Sequence, residues 1–108
     1  MTEPRYPYVR SVDHHFHIAV MRLDIRLHDC QSLKDKRGRL ARTLNPIRKK
    51  YPVVISEVGN QDIWGRSGLA AVTLSSDRDL ATRVLEQVAS EIIQMPDVEL
   101  IWHEIDLI

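Results

Sequence analysis

The apolar residues of this chain keep changing their spacing, and the order of those changes leaves few folds open. Leu23, Ile25 and Leu27 alternate with Arg22, Asp24, Arg26 and His28, which is the period of a strand with one buried face. From Leu33 the spacing becomes helical, with Leu40, Leu44 and Ile47 on the same stripe. Two short strand-like segments follow, Val53–Val58 and Leu69–Leu74, on either side of the loop GNQDIWGRS at 59–67. Leu80, Val84, Val88 and Ile92 then repeat every four residues beside Ala81 and Leu85, and Val98–Ile108 closes the chain as a strand. The order is β-α-β-β-α-β. Right-handed crossovers in such a unit place both helices on one face of a four-stranded antiparallel sheet. The expected fold class is therefore α+β and ferredoxin-like, with strands over 17–28, 53–58, 68–75 and 98–107 and helices over 32–49 and 77–94. Leu33, Leu40, Leu44, Ile47, Leu80, Val84, Leu85, Val88 and Ile92 are the expected helical core.

Local signals sharpen some boundaries and trouble others. Ser32 is placed to cap the first helix, with Asp35 three residues on as its capping-box partner. Within that helix Gly38 costs about 1 kcal/mol and Pro46 about 3 relative to alanine. The spacing predicts a kink near Arg42 or an end near Leu44, and Ile47, still on the stripe, favours the kink. Ile18, Ala19, Val20 and Met21 are continuously apolar, so the phase change near Met21 predicts a bulge or burial on both faces. Gly59 should end the second strand, Ser76 and Asp79 should cap the second helix, and Pro96 should break it.

A chain of 108 residues holds one domain. Residues 1–15 are polar and interrupted by proline, so they read as a flexible N-terminal extension to a single domain over 16–108. No apolar run approaches the ~18 residues of a membrane span, and the first residues are too polar for a secretory leader. Cys30 is the only cysteine, which excludes a disulfide within the chain and any Cys-pair zinc site. A cytoplasmic setting is expected.

The zero net charge conceals a strong asymmetry. Residues 34–50 carry eight basic side chains against Asp35 alone, a net +7, and the rest of the chain carries −7, concentrated after position 76. Such a dipolar domain is drawn to polyanions, or to the acidic half of another copy. With about 100° per residue counted from Leu40, the apolar stripe lies within about 40° of that residue. Lys36 and Arg37 fall at its two margins, while Lys34, Arg39, Arg42, Lys49 and Lys50 lie farther round.

Two segments carry a family resemblance. SLKDKR at Ser32–Arg37 and EVGNQDIWGR at Glu57–Arg66 resemble the YlxP-like bacterial family, a domain of unknown function that reads close to SLKEKR and EVGxQDxWxR at the same separation. The resemblance covers residues 17–108. It implies a ferredoxin-like fold and supplies no activity, cofactor or catalytic residue. Its genes often lie beside those for translation initiation and ribosome maturation, which implies an association with RNA. The chain departs from the pattern in residues 1–15 and in Pro46, where the family has a helix former.

Cations near the C-terminus of a helix complement its dipole, so Arg48, Lys49 and Lys50 need no special account. Lys34, Lys36 and Arg37 crowd the positive end, where they strengthen an anion site unless Glu57 or Asp62 neutralises them. Lys34, Lys36, Arg37, Arg39 and Arg42 are the candidate anion or RNA contacts. Gln61, Asp62, Trp64 and Arg66 are candidate loop contacts. There Trp64 either stacks a base, anchors a partner, or packs on the nearest helix and pins the hairpin. Leu69–Leu74 contains no aromatic residue, so base stacking on the central strands of the open sheet face is not expected.

Catalytic and metal signatures are missing from the pattern. Cys30 follows His28 and Asp29 without an orienting third group. HDCQS lacks the glycines of the phosphate loop that acylphosphatases carry on a similar fold. His14, His15 and His17 adjoin in an extended chain, where neighbouring side chains point apart instead of converging on a metal. The expected protein is thus a non-enzymatic binding module without metal or cofactor. Its expected partner is ribosomal or other structured RNA. The rival expectation is a self-associating regulatory or protein-interaction domain, a homodimer that takes a small anionic ligand at the helix N-terminus.

Overall fold

A computed structural model describes residues 15–108; residues 1–14, with His14 and all but the last residue of the expected extension over 1–15, lie outside the described residues. The elements are β1 His17–Leu27, α1 Leu33–Lys50, β2 Val54–Gly59, β3 Arg66–Ser75, α2 Arg78–Ile93 and β4 Val98–Leu107. The strands form one sheet in the order β2-β3-β1-β4, with every neighbouring pair antiparallel. Ala19, Met21, Leu23, Ile25 and Leu27 on one face of β1 share a single core with Leu40, Leu44 and Ile47 of α1 and Leu85, Val88 and Ile92 of α2. Both helices therefore cover the same face of the sheet. This is the ferredoxin-like α+β fold.

The helix ends follow local chemistry. Ser32 Oγ accepts the Asp35 N–H at 3.0 Å, and the Asp35 carboxylate accepts the Gln31 N–H at 3.1 Å, so the reciprocal bond reaches one residue further back than a standard capping box. For α2 the cap is Asp77, not Ser76: Asp77 Oδ1 accepts from the N–H groups of Asp79 and Leu80. Ser75 Oγ in turn accepts the Asp77 N–H. Of the two alternatives weighed for α1, an end near Leu44 is excluded: the helix runs through Pro46 to Lys50, close to the expected span of 32–49. Pro46 itself is exposed, while buried Ile47 accepts the Tyr51 N–H at 2.9 Å and anchors the final turn.

Packing revises the expected core at two positions. Leu80 is 45% exposed, and Leu33 is only half-buried. Leu80 belongs to the first turn of α2 at the margin of the buried stripe, which Ala81, Val84, Leu85, Val88, Ala89 and Ile92 fill instead. Strand β3 starts at Arg66, earlier than the hydrophobic run suggested. Gly68 is a strand residue there and pairs with Gly59, and a Cβ on Gly68 would stand 3.1 Å from the Gly59 Cα. These glycines allow close strand approach.

No bulge occurs near Met21, where pairing with β3 is unbroken. The irregularity is in the β1–β4 ladder: Asp24 pairs with Trp102 and Ile25 with Leu100, leaving Ile101 as the extra residue. That bulge reverses the faces of β4 from Trp102 onward. Among the described residues, no helix is long and apolar enough to cross a membrane.

Candidate nucleic-acid interface

The two family-like segments meet through one buried side chain. Lys36, 1% exposed, extends from α1 between the helix and the sheet. Its Nζ lies 2.8 Å from Glu57 Oε2 and donates to the carbonyls of Asn60 at 2.6 Å and Gln61 at 3.4 Å. Ser67 Oγ donates to the same Glu57 oxygen at 2.6 Å. The three ammonium donors thus have three acceptors, as a buried charge requires. Lys36 is corrected as a surface anion contact: it is a structural cation neutralised by Glu57. Asp62 is exposed and takes no part.

The remaining cations of α1 divide into two groups. Arg39 donates to the carbonyls of His28 and Asp97, joining the ends of β1 and the α2–β4 turn. Arg48 donates to the Ile55 carbonyl at 2.7 Å and covers part of the β2 edge. Lys50 contacts Glu91 at 2.7 Å, and that hydrogen-bonded carboxylate raises the Lys50 ammonium above its ordinary pKa. Lys34, Arg37, Arg42 and Lys49 are exposed and have no ion pair or side-chain hydrogen bond among the described residues. These four fall within roughly 140° of the helix circumference and extend over about 22 Å of its length. Gly38, Ala41 and Asn45 lie between them, and Arg48, which falls within the same arc, is tied to Asn45 Oδ1 and the Ile55 carbonyl.

The β2–β3 loop is fixed mainly from beneath. Besides the Lys36 contacts, Gln61 Nε2 donates to the Glu57 carbonyl at 3.4 Å and the Ile63 N–H to the Asn60 carbonyl at 3.1 Å. The Gly65 carbonyl accepts the Leu27 N–H at 2.9 Å. Asn60 adopts φ 56°, a left-handed conformation that asparagine tolerates well. Trp64 remains 51% exposed, so it is not a fully packed pin for the hairpin. Arg66 does not join the α1 cations. It stands opposite Arg26 on the sheet face away from the helices, 4.0 Å from Asp24.

That open face was only partly legible. Val20, Arg22, Asp24 and Arg26 point to it from β1, and paired Asp106, Glu104, Trp102 and Glu99 flank them from β4. Arg22 contacts Asp106 at 3.4 Å and Arg26 contacts Glu99 at 3.4 Å, so its charges largely compensate. Aromatic surface is nonetheless present, because the Ile101 bulge turns Trp102 outward. The central strands lack it, as their sequences require. Three consecutive apolar residues, Leu100, Ile101 and Trp102, were the available sign of that bulge. The opposite end of the face is apolar: Ile18 pairs with Leu74, Val20 with Val72, and Val72 with Val54. A shallow hollow of about 530 Å³ opens beside Ile18, Val54 and Leu74.

Cys30 is half-buried, with its thiol directed at the Ser32 carbonyl at 3.6 Å. Among the described residues, no group of three His, Cys, Asp or Glu side chains is arranged around a common metal position.

Comparison with known proteins places this geometry in a family. Over 73 residues the chain is 37% identical to the uncharacterized protein YlxP of Bacillus subtilis (strain 168), covering 68% of this chain and 79% of the relative. Among solved structures, a C-terminal segment of the alpha subunit of aIF2 from Pyrococcus abyssi aligns with a TM-score of 0.49 at 17% identity, covering 90% of this chain and 52% of that one. The de novo designed protein Foldit4 aligns with a TM-score of 0.46 at 18% identity over 84% of this chain and 96% of its own. Residues 18–105 match the model described as protein of unknown function (DUF503), and the chain belongs to that family.

Proposed function

We propose that this protein is a non-enzymatic accessory module that binds structured RNA, ribosomal RNA first among candidates, through the outer face of α1. One observation carries the reading: Lys34, Arg37, Arg42 and Lys49 share an exposed face and are neutralised by no other described residue. Four cations over about 22 Å of helix suit a line of phosphates better than a single small anion. Contacts of this type position a protein on RNA without reading sequence. The translation-associated gene setting implied by the YlxP-like resemblance supports the same partner.

The test is binding to ribosomal RNA across a salt series. Four phosphate contacts give a slope of log K against log salt of about −3. Replacing Lys34, Arg37 and Arg42 with Gln should flatten the slope to about −1 and leave the thermal midpoint nearly unchanged. Salt-independent binding, or a triple variant that binds like the parent, would overturn the reading.

Self-association is a second reading, favoured by the apolar end of the open face, where Val54 is 75% and Leu74 is 65% exposed. Arg48 covers part of the β2 edge, so stacking of two open faces is the geometry to test. Sedimentation should give a dimer that Leu74→Asp dissociates. A monomer of 12.5 kDa at every concentration would remove this reading.

A further inference from the structure

We infer that Trp64 is a stacking platform for an unpaired base of the same RNA, and that buried Lys36 is the positioning residue that holds it ready. The inference rests on the α1 reading above and adds the class of nucleotide recognised.

The order of loop 60–65 comes largely from below. Lys36 Nζ binds the backbone carbonyls of Asn60 and Gln61, and Glu57 neutralises it. A buried ammonium is an expensive way to close a hairpin, since packed apolar side chains serve stability as well or better. What it supplies is geometry: three donors directed at fixed acceptors set where the loop stands relative to α1. Gly65, next to Trp64, is tied to Leu27 at the other end of the loop.

A loop fixed in this way need not bury its own tryptophan. Trp64 is 51% exposed and Ile63 50% exposed. A tryptophan on a loop whose backbone is already fixed leaves less ordering to be done when a base settles on it. The Lys36 contacts fix residues 60 and 61 at the level of the first turns of α1, from its buried side. Gly65, which follows Trp64, is held to Leu27 at the end of β1, shortly before α1 begins with Leu33 and Lys34. Paired bases in a helix keep their faces within the stack, so the base that reaches Trp64 is an unpaired one from a loop, bulge or end.

The experiment uses the full chain carrying Trp102→Phe, which leaves Trp64 as the only tryptophan. Two probes are compared: an RNA hairpin with an unpaired loop, and a blunt RNA duplex of equal length. The hairpin should quench Trp64 fluorescence and the duplex should not. Trp64→Leu should weaken hairpin binding about tenfold or more, to the level of the duplex, without changing duplex affinity. Lys36→Met combined with Glu57→Gln removes both charges of the pair together. It should keep the cooperative unfolding transition but lose the preference for the hairpin.

If Trp64→Leu weakens neither probe, or both equally, the stacking role is overturned, while the α1 reading stands as long as the Lys34, Arg37 and Arg42 substitutions reduce binding. If the folded Lys36/Glu57 double variant keeps the full hairpin preference, the positioning role of Lys36 is overturned. If neither RNA binds the parent chain, both readings fall.

Discussion

Lys36 and Glu57 form a 2.8 Å ion pair between α1 and the end of β2, joining the two segments by which the chain resembles its family. Removing one partner strands the other in a poorly solvated place. Lys36→Met alone should destabilise the protein by about 3 kcal/mol. Glu57→Gln should cost less, because its neutral amide still accepts from Lys36 and Ser67. The double variant should lie nearer the parent than the sum of the singles, which urea unfolding of the four proteins would measure.

The glycines divide by what surrounds them. A Cβ at Gly68 would meet Gly59 backbone at 3.1 and 3.3 Å, whereas at Gly38 it would meet only the flexible end of Arg42 at 3.4 Å. Gly68→Ala should destabilise by about 1–3 kcal/mol through strand displacement. Gly38→Ala should stabilise by about 0.5–1 kcal/mol as a gain in helix propensity. Opposite shifts in thermal midpoint are the expected result.

Pro46 leaves the Arg42 carbonyl without its helical donor, yet α1 continues to Lys50. Pro46→Ala restores that bond at an exposed position. It should raise stability by roughly 1–3 kcal/mol, net of the added freedom of the unfolded chain. A lower midpoint would show that proline shapes α1 in a way the fold needs.

The two N-caps act on separate helices. Ser32→Ala and Asp77→Ala should each cost about 1 kcal/mol, and their effects should add within roughly 0.5 kcal/mol. Denaturant unfolding of both singles and the double checks this. A marked departure from additivity would mean that the two helix starts are coupled through the core.

Periodicity alone determined the sequence of elements, because burial on one side forces period two in a strand and three to four in a helix. Ser32 was readable as a cap because it acts on its own backbone a few residues away. The fate of Lys36 was not readable in that way. At the margin of the apolar stripe its stem could carry the ammonium outward or inward, and only the arrival of Glu57, Asn60 and Gln61 from the β2–β3 hairpin decided for inward. The open-face position of Trp102 likewise depended on a bulge defined by pairing with β1. Which cations of α1 remain unneutralised was decided by the same long-range contacts: Glu91, the carbonyls of His28, Ile55 and Asp97, and the buried pair take up Lys50, Arg39, Arg48 and Lys36. Local chemistry wrote the elements, but the surface left over for a partner exists only after distant segments have met, since charge is neutralised in space and not along the chain.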